Sequence, residues 1–251
     1  MRKLSLIGMG VGHPEQLTVQ AIEALNRVDV FFVMDKGGAK ADLRELRRQI
    51  CQRYIRNADY RFVEVADPQR DAAIESYTDR VRAWHDERAE LWHAVFEREL
   101  GPSGRGGFLV WGDPALYDST LRILEQLAAR GGPRFEYEVI PGISAVQALA
   151  ASHRIALNRI GGSVHITTGR RLAADAAAGN QDLVVMLDGE CSWKTLDPDA
   201  FEIYWGAYLS SPHELLAHGK LREVSESIEQ RRAAARAEHG WIMDTYLLRR
   251  L

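Results

Sequence analysis

Three short segments carry residue types that could hold a small molecule and act on it. They are Gly8-Met-Gly-Val-Gly-His-Pro14, Trp111-Gly-Asp-Pro114 with Leu116 and Tyr117 just after it, and Pro141-Gly-Ile-Ser-Ala145. Glycine lets a backbone come close to a ligand, so that main-chain N–H and C=O groups do the binding. The N–H groups at a helix start favour a carboxylate or phosphate. Asp113 supplies a carboxylate that could move a proton or cap a helix. No pattern singles out a general base: Asp113 is the first candidate, with Asp35, Tyr117, Glu190 and His213 behind it.

Glycine spacing argues against a dinucleotide loop. That motif needs G-x-G-x-x-G, whereas the glycines here stand at 8, 10 and 12, followed by His13 and Pro14. Asp35 closes the apolar run Val30-Phe-Phe-Val-Met34 where a ribose-binding acid would stand, so this region alone leaves a nicotinamide cofactor open. A Walker loop fits less well still, because no G-K-[ST] follows. Cys51 and Cys191 are too few and too far apart for a zinc motif or a disulfide scaffold, and read as structural thiols of a reduced compartment.

The elements that must position these residues follow from apolar runs and their punctuation. Residues 4–7, 108–111 and 136–140 are short apolar strands, each running into one of the three segments. Helices are predicted over 15–27, over 115–130 with Asp113 as cap and Pro114 in the first position, and over 145–152 with Ser144 and Gln147 as a capping box. Gly131-Gly132 would stop the second of these. Three strand-to-helix turns of one kind point the same way in a parallel sheet, and ligands sit beyond the carboxyl ends of such strands.

Amphipathic stretches at 41–55 and 72–100 read as helices packed on that sheet. A junction is predicted at 158–162, giving an N-terminal α/β domain over 1–158, with the glycine-rich loop and a helical insertion, and a C-terminal α/β domain over 159–251. The second half carries strands at 163–168, 182–187 and 201–208, a charged helix at 225–238 and a closing strand at 241–248.

Composition sets outer limits. The 251 residues are 46% apolar and 27% charged, an ordinary globular mixture with room for two modest cores. A formal net charge of -3 speaks against a nucleic-acid binder driven by a basic surface. No apolar run approaches the ~18 residues of a membrane span, and the glycines after Ile7 cut short any secretory core, so a cytoplasmic protein without membrane contact is expected.

Taken together and in this order, Gly8-Met-Gly-Val-Gly-His-Pro14 with Leu17-Thr18, Gly112-Asp-Pro114 with Tyr117, and Pro141-Gly-Ile-Ser-Ala145 resemble the tetrapyrrole (corrin/porphyrin) methylase family, and the resemblance extends over essentially the whole chain. It implies two α/β domains with the cofactor site in the cleft between them, S-adenosyl-L-methionine as methyl donor, S-adenosyl-L-homocysteine as product, a small-molecule tetrapyrrole as substrate and a homodimer. Carried over position by position, it implies cofactor contacts at Pro14, Trp111, Gly112, Asp113, Leu116, Tyr117, Ser144, Ala145, Met186, Leu187, Gly206 and Ala207. The chain departs from the family pattern at Trp111, where a smaller residue is usual, and at Ser144-Ala145, where some members carry two hydroxyl residues.

Within the family, the opening residues 1–18, the segment 33–37 and the segment 108–117 resemble the deacetylating C1 methylases of oxygen-dependent cobalamin synthesis. The implied reaction methylates precorrin-5 at C1 and releases acetate to give precorrin-6A. Arg170 and Arg171 are then expected to pair with substrate carboxylates, unless they form a solvated surface pair. Two other readings stay open: a precorrin methylase acting at another ring carbon without deacetylation, and a non-catalytic nucleotide-binding sensor.

Overall fold

The computed structural model describes residues 1–35, 41–57, 59–69, 71, 73–131 and 134–251, with the backbone alone for Asp35, Ala41 and Asp42. The predicted helix start at Ala72, the stop at Gly132 and the pair Lys36-Gly37 lie outside the described residues. The chain forms two compact units, Met1–Gly10 with Pro14–Ile143, and Val11–His13 with Ser144–Leu251. The domain boundary expected at 158 lies inside the second of them.

The first unit is a parallel sheet of β1 (Arg2–Gly8), β2 (Val30–Asp35), β3 (Arg61–Ala66), β4 (Arg105–Val110) and β5 (Phe135–Ile140), in the order β3-β2-β4-β1-β5. Its central strands read as apolar runs because both faces are covered. On one face Leu4, Leu6, Phe108 and Val110 pack with α3 (Tyr77–Glu99) and α4 (Thr120–Ala129), through Trp92, Phe96, Ile123 and Leu124. On the other, Ile7 and Leu109 pack with α1 (Val19–Leu25) and α2 (Ala41–Tyr54), through Ala21, Leu25 and Ile50. Each Leu, Ile, Val and Phe among them contributes about 1.5–3 kcal/mol by leaving water.

The wiring places a site. From β1 the chain turns to the face covered by α1, and from its neighbour β4 to the face covered by α4. Adjacent strands whose connections leave to opposite faces of the sheet mark, at their carboxyl ends, the position favoured for ligands in open α/β sheets. Beside it, the pairing of β2 with β4 ends after Val30 with Gly106 and Phe31 with Gly107.

Three predicted helices are shorter than expected, and one of them, α3, starts only at Tyr77 with Ser76 as its cap. Pro14–Gln16 is a single 3-10 turn, and Thr18 starts α1 afresh by accepting from Ala21 N at 3.0 Å. The helix predicted over 115–130 begins only at Thr120. Pro114 therefore does not open it, and Asp113 does not cap it. Tyr117 lies at φ 53°, a left-handed conformation that ends any helix, and Asp118 Oδ1 instead receives Thr120 N at 2.7 Å. β3 was not foreseen, although its alternation buries Val63 and Val65 and exposes Glu64.

The second unit is a mixed sheet of β6 (His165–Thr168), β7 (Asp182–Met186), β8 (Phe201–Ala207), β9 (Leu215–Lys220) and β10 (Asp244–Arg250), in the order β6-β7-β10-β8-β9. β10 runs antiparallel to both of its neighbours. Leu183, Val185, Ile203, Trp205, Tyr246 and Leu248 form a core with α6 (Leu172–Ala177) and α7 (Leu221–His239). α5 (Ala145–His153) is capped as predicted: Ser144 Oγ accepts from Val146 N at 3.2 Å, and Ser144 N donates to Gln147 Oε1 at 3.1 Å.

Both cysteines are buried and unbridged. Burial pushes the Cys51 thiol up to about 12 and raises Cys191 as well, so the reactive thiolate is scarce near neutral pH. Ellman's reagent at pH 8 should therefore label neither in the folded protein and both after denaturation. Rapid labelling of the native protein would show that one of them is accessible.

Candidate active site

Three backbones meet where β1, β4 and β5 end. A Cβ on Gly8 would stand 2.5 Å from Gly142 N and 2.9 Å from Gly112 O. A Cβ on Gly142 would lie 2.8 Å from Gly8 C and closer still to Gly112 O. Only glycine permits this approach. Gly10 and Gly112 add a short bridge, with Gly112 N donating to Gly10 O at 2.9 Å, and both have positive φ, 74° and 68°. The first, second and third segments of the sequence thus form one glycine junction.

Asp113 locks that junction. Its Oδ1 accepts from Ala115 N at 2.8 Å and its Oδ2 from Gly142 N at 2.9 Å, which ties the loop after β4 to the turn after β5. Each carboxylate oxygen already holds a main-chain donor, the arrangement of a positioning group. Leu116 N donates to Asp113 O at 3.2 Å, Trp111 packs half-buried against the α1 and α2 core, and Tyr117 is exposed. Pro14 opens the 3-10 turn whose Glu15 pairs with Arg53 of α2 at 2.6 Å.

In the second unit the predicted positions again lie at strand ends. Met186 of β7, Thr245 of β10 and Gly206 of β8 are in register across three neighbouring strands. Gly206 also serves packing, since a Cβ there would meet Leu209 Cδ2 at 2.5 Å and Leu149 Cδ1 at 2.9 Å. Ala207 is buried, and Ser144 and Ala145 open α5. Leu187 is 63% exposed and holds φ 54°, and Tyr208 and Ser210, which follow β8, also have positive φ. Non-glycine residues rarely adopt this conformation, and those that do gather at functional loops.

Asp188, which the sequence reading passed over, holds Leu187 in place. Its buried carboxylate accepts from Tyr246 OH at 2.6 Å, Ser192 N at 2.7 Å, Ser192 Oγ at 2.8 Å and Glu190 N at 3.1 Å. Burial beside that carboxylate raises the Tyr246 hydroxyl far above its usual range, so it stays a donor. Arg232 closes the other side, donating to Asp188 O at 2.8 Å and pairing with Asp244 at 2.9 Å. The one available signal was an acid directly after an apolar strand, paired with a tyrosine in the last strand.

Other sequence candidates are not gathered at these points. Arg171 is exposed and pairs with Asp175 at 3.2 Å, one helical turn on, while Arg170 is exposed beside it. Glu190 and His213 are exposed, His213 with its ring against His239 at 4.5 Å. Asp35 ends β2, and its side chain lies outside the described residues. Among the described residues no group of His, Cys, Asp and Glu could hold a metal ion.

The profile of the tetrapyrrole (corrin/porphyrin) methylases matches residues 3–225. A precorrin-6A synthase [deacetylating] from Sinorhizobium sp is 52% identical over 250 residues, spanning 100% of this chain and 96% of that protein. Among solved structures, a cobalamin synthesis related protein (CobF) from Corynebacterium diphtheriae superposes with a TM-score of 0.86 at 40% identity, covering 100% of this chain and 99% of that one. A uroporphyrin-III C-methyl transferase from Thermus thermophilus, complexed with S-adenyl homocysteine, shares the fold with a TM-score of 0.58 at 21% identity, over 98% of this chain and 96% of that one. The diverging strand exits, the glycine junction and these matches lead to one conclusion: the chain belongs to the tetrapyrrole (corrin/porphyrin) methylase family.

Proposed function

We propose that this protein transfers a methyl group from S-adenosyl-L-methionine to C1 of precorrin-5 and releases the acetyl group as acetate, giving precorrin-6A and S-adenosyl-L-homocysteine. The observation that carries this reading is the 52% identity, sustained over the full chain, with a precorrin-6A synthase [deacetylating]. The glycine junction is consistent with it, because it draws the loops after β1, β4 and β5, which carry the family motifs, to one point at the carboxyl end of the sheet.

Bound at such a site, the sulfonium donor supplies an electrophilic methyl group. The protein's own part is then alignment, which accelerates a two-reactant step without further chemistry. Contacts are assigned to Pro14, Trp111, Gly112, Asp113, Leu116 and Tyr117 in the first unit. In the second unit they are assigned to Ser144, Ala145, Met186, Leu187, Gly206 and Ala207. Deacetylation adds water across the acetyl carbonyl, expels acetate and leaves the bonding pair on C1, which takes the methyl group. Such a protein works in the cytoplasm as a homodimer.

Incubation with precorrin-5 and methyl-labelled donor tests the reading: labelled product and one acetate per methyl are expected. Label transfer without acetate would move the reaction to another ring carbon, and donor binding without transfer would make the protein a sensor. Asp113→Asn separates positioning from proton transfer. An amide in place of Oδ2 would turn a donor towards Gly142 N, so donor affinity should fall about tenfold along with turnover. Turnover lost at unchanged affinity would instead make Asp113 a base.

A further inference from the structure

Arg47 of α2 carries a charge that nothing yet described uses. Its Nε donates to Leu109 O at 3.1 Å and one terminal nitrogen to Leu43 O at 2.9 Å. Both partners are neutral carbonyls. Among the described residues no carboxylate forms an ion pair with it, and Asp118 acts on it only through space. A half-buried guanidinium in this position is unusual, since buried charges normally find an opposite charge. Burial lowers its pKa to about 10, and the charge of Asp118 offsets only part of that.

Its place in the fold matters as much as its charge. Leu109 belongs to the part of β4 that β2 no longer pairs, just before the chain reaches Gly112 and Asp113. Through its bond to Leu109 O, Arg47 stands past the end of that pairing, near the carboxyl end of the sheet and within the electrostatic reach of Asp118 in the loop after β4. Two carbonyls fix the side chain, yet the planar fork has five N–H groups and leaves edge donors over. A fixed fork with spare donors matches a carboxylate.

We propose that Arg47 is the counter-ion for a carboxylate of a small molecule bound at the carboxyl end of the first sheet. The proposal rests on the methyl-transfer reading, which brings two sources of that group: the acidic side chains of a tetrapyrrole and the amino-acid end of the donor. Full-length wild-type, Arg47→Lys and Arg47→Gln proteins are titrated with uroporphyrin III, an octacarboxylate tetrapyrrole, and separately with S-adenosyl-L-homocysteine.

The Gln variant should lose about tenfold or more in affinity for one of the two ligands, and the Lys variant less. The wild-type loss with rising salt should weaken in the Gln variant, a change that a purely structural role would not produce. A drop for uroporphyrin III assigns the contact to the tetrapyrrole, and a drop for S-adenosyl-L-homocysteine assigns it to the donor. A folded Gln variant that binds both unchanged overturns the proposal.

Should neither variant fold, phenylglyoxal labelling of wild-type Arg47, read by peptide mass, decides. Labelling that one ligand suppresses supports the contact. Labelling that neither ligand suppresses, or none in the free protein, overturns it. Failure of the methyl-transfer reading is seen separately, as wild-type protein that turns over no precorrin-5 while these titrations remain readable.

Discussion

Gly142→Ala should cost the protein both its donor binding and much of its stability. A methyl group there would press on Gly8 C at 2.8 Å and on Gly112 O closer still. These are main-chain atoms at the ends of central strands, which cannot swing aside as a side-chain tip could. Overpacking a tight site costs about 1–3 kcal/mol even where some relaxation is possible. Relaxation here means parting the loops that Asp113 joins, so affinity for S-adenosyl-L-homocysteine should fall by about a hundredfold or more. Gly101→Ala serves as control, because a Cβ at Gly101 meets nothing within 4 Å. Calorimetric titration of both variants reads the difference, and equal affinities would show that the junction is not where the donor sits.

The second large effect is expected at Asp188. Removing its carboxylate as Asp188→Ala strands the buried Tyr246 hydroxyl and takes the acceptor from the part-buried Ser192 hydroxyl and two part-buried main-chain N–H groups. One orphaned buried donor costs about 1–3 kcal/mol, so a total on the order of 3 kcal/mol or more is expected. For a domain of this size that lowers the melting temperature by roughly 6–12 °C. Tyr246→Phe removes one donor and leaves the carboxylate three, so its effect should be smaller than half of this. Leu187 would also lose the restraint that keeps it left-handed. Donor affinity measured below the melting transition should fall with it in Asp188→Ala, and a variant as stable as the parent would remove the clamp from the account.

What could be read from sequence was whatever depends on near neighbours. Apolar runs closed by glycine placed β1, β4 and β5, and the Ser144 and Gln147 pair marked the start of α5, because such signals act over a few residues. Asp113 shows where that reasoning stops. An acid before proline at a strand exit reads as a helix cap, yet its second oxygen is taken by Gly142 N, and sequence does not state that partner. The delayed start of α4 has the same origin. Asp188 and Arg47 escaped notice because their meaning lies in Tyr246 and in the Leu109 carbonyl, both distant along the chain. β3 and β9 were missed as short edge strands with mixed polarity.

Strand order has a consequence for how the protein is made. β1 is synthesised first but lies between β4 and β5, so Lys3 must wait for both Arg105 and Glu136 before its pairings are complete. In the other sheet β10 comes last and lies between β7 and β8. At about 5–20 residues per second the nascent chain spends several seconds with unmatched strand edges exposed on the ribosome.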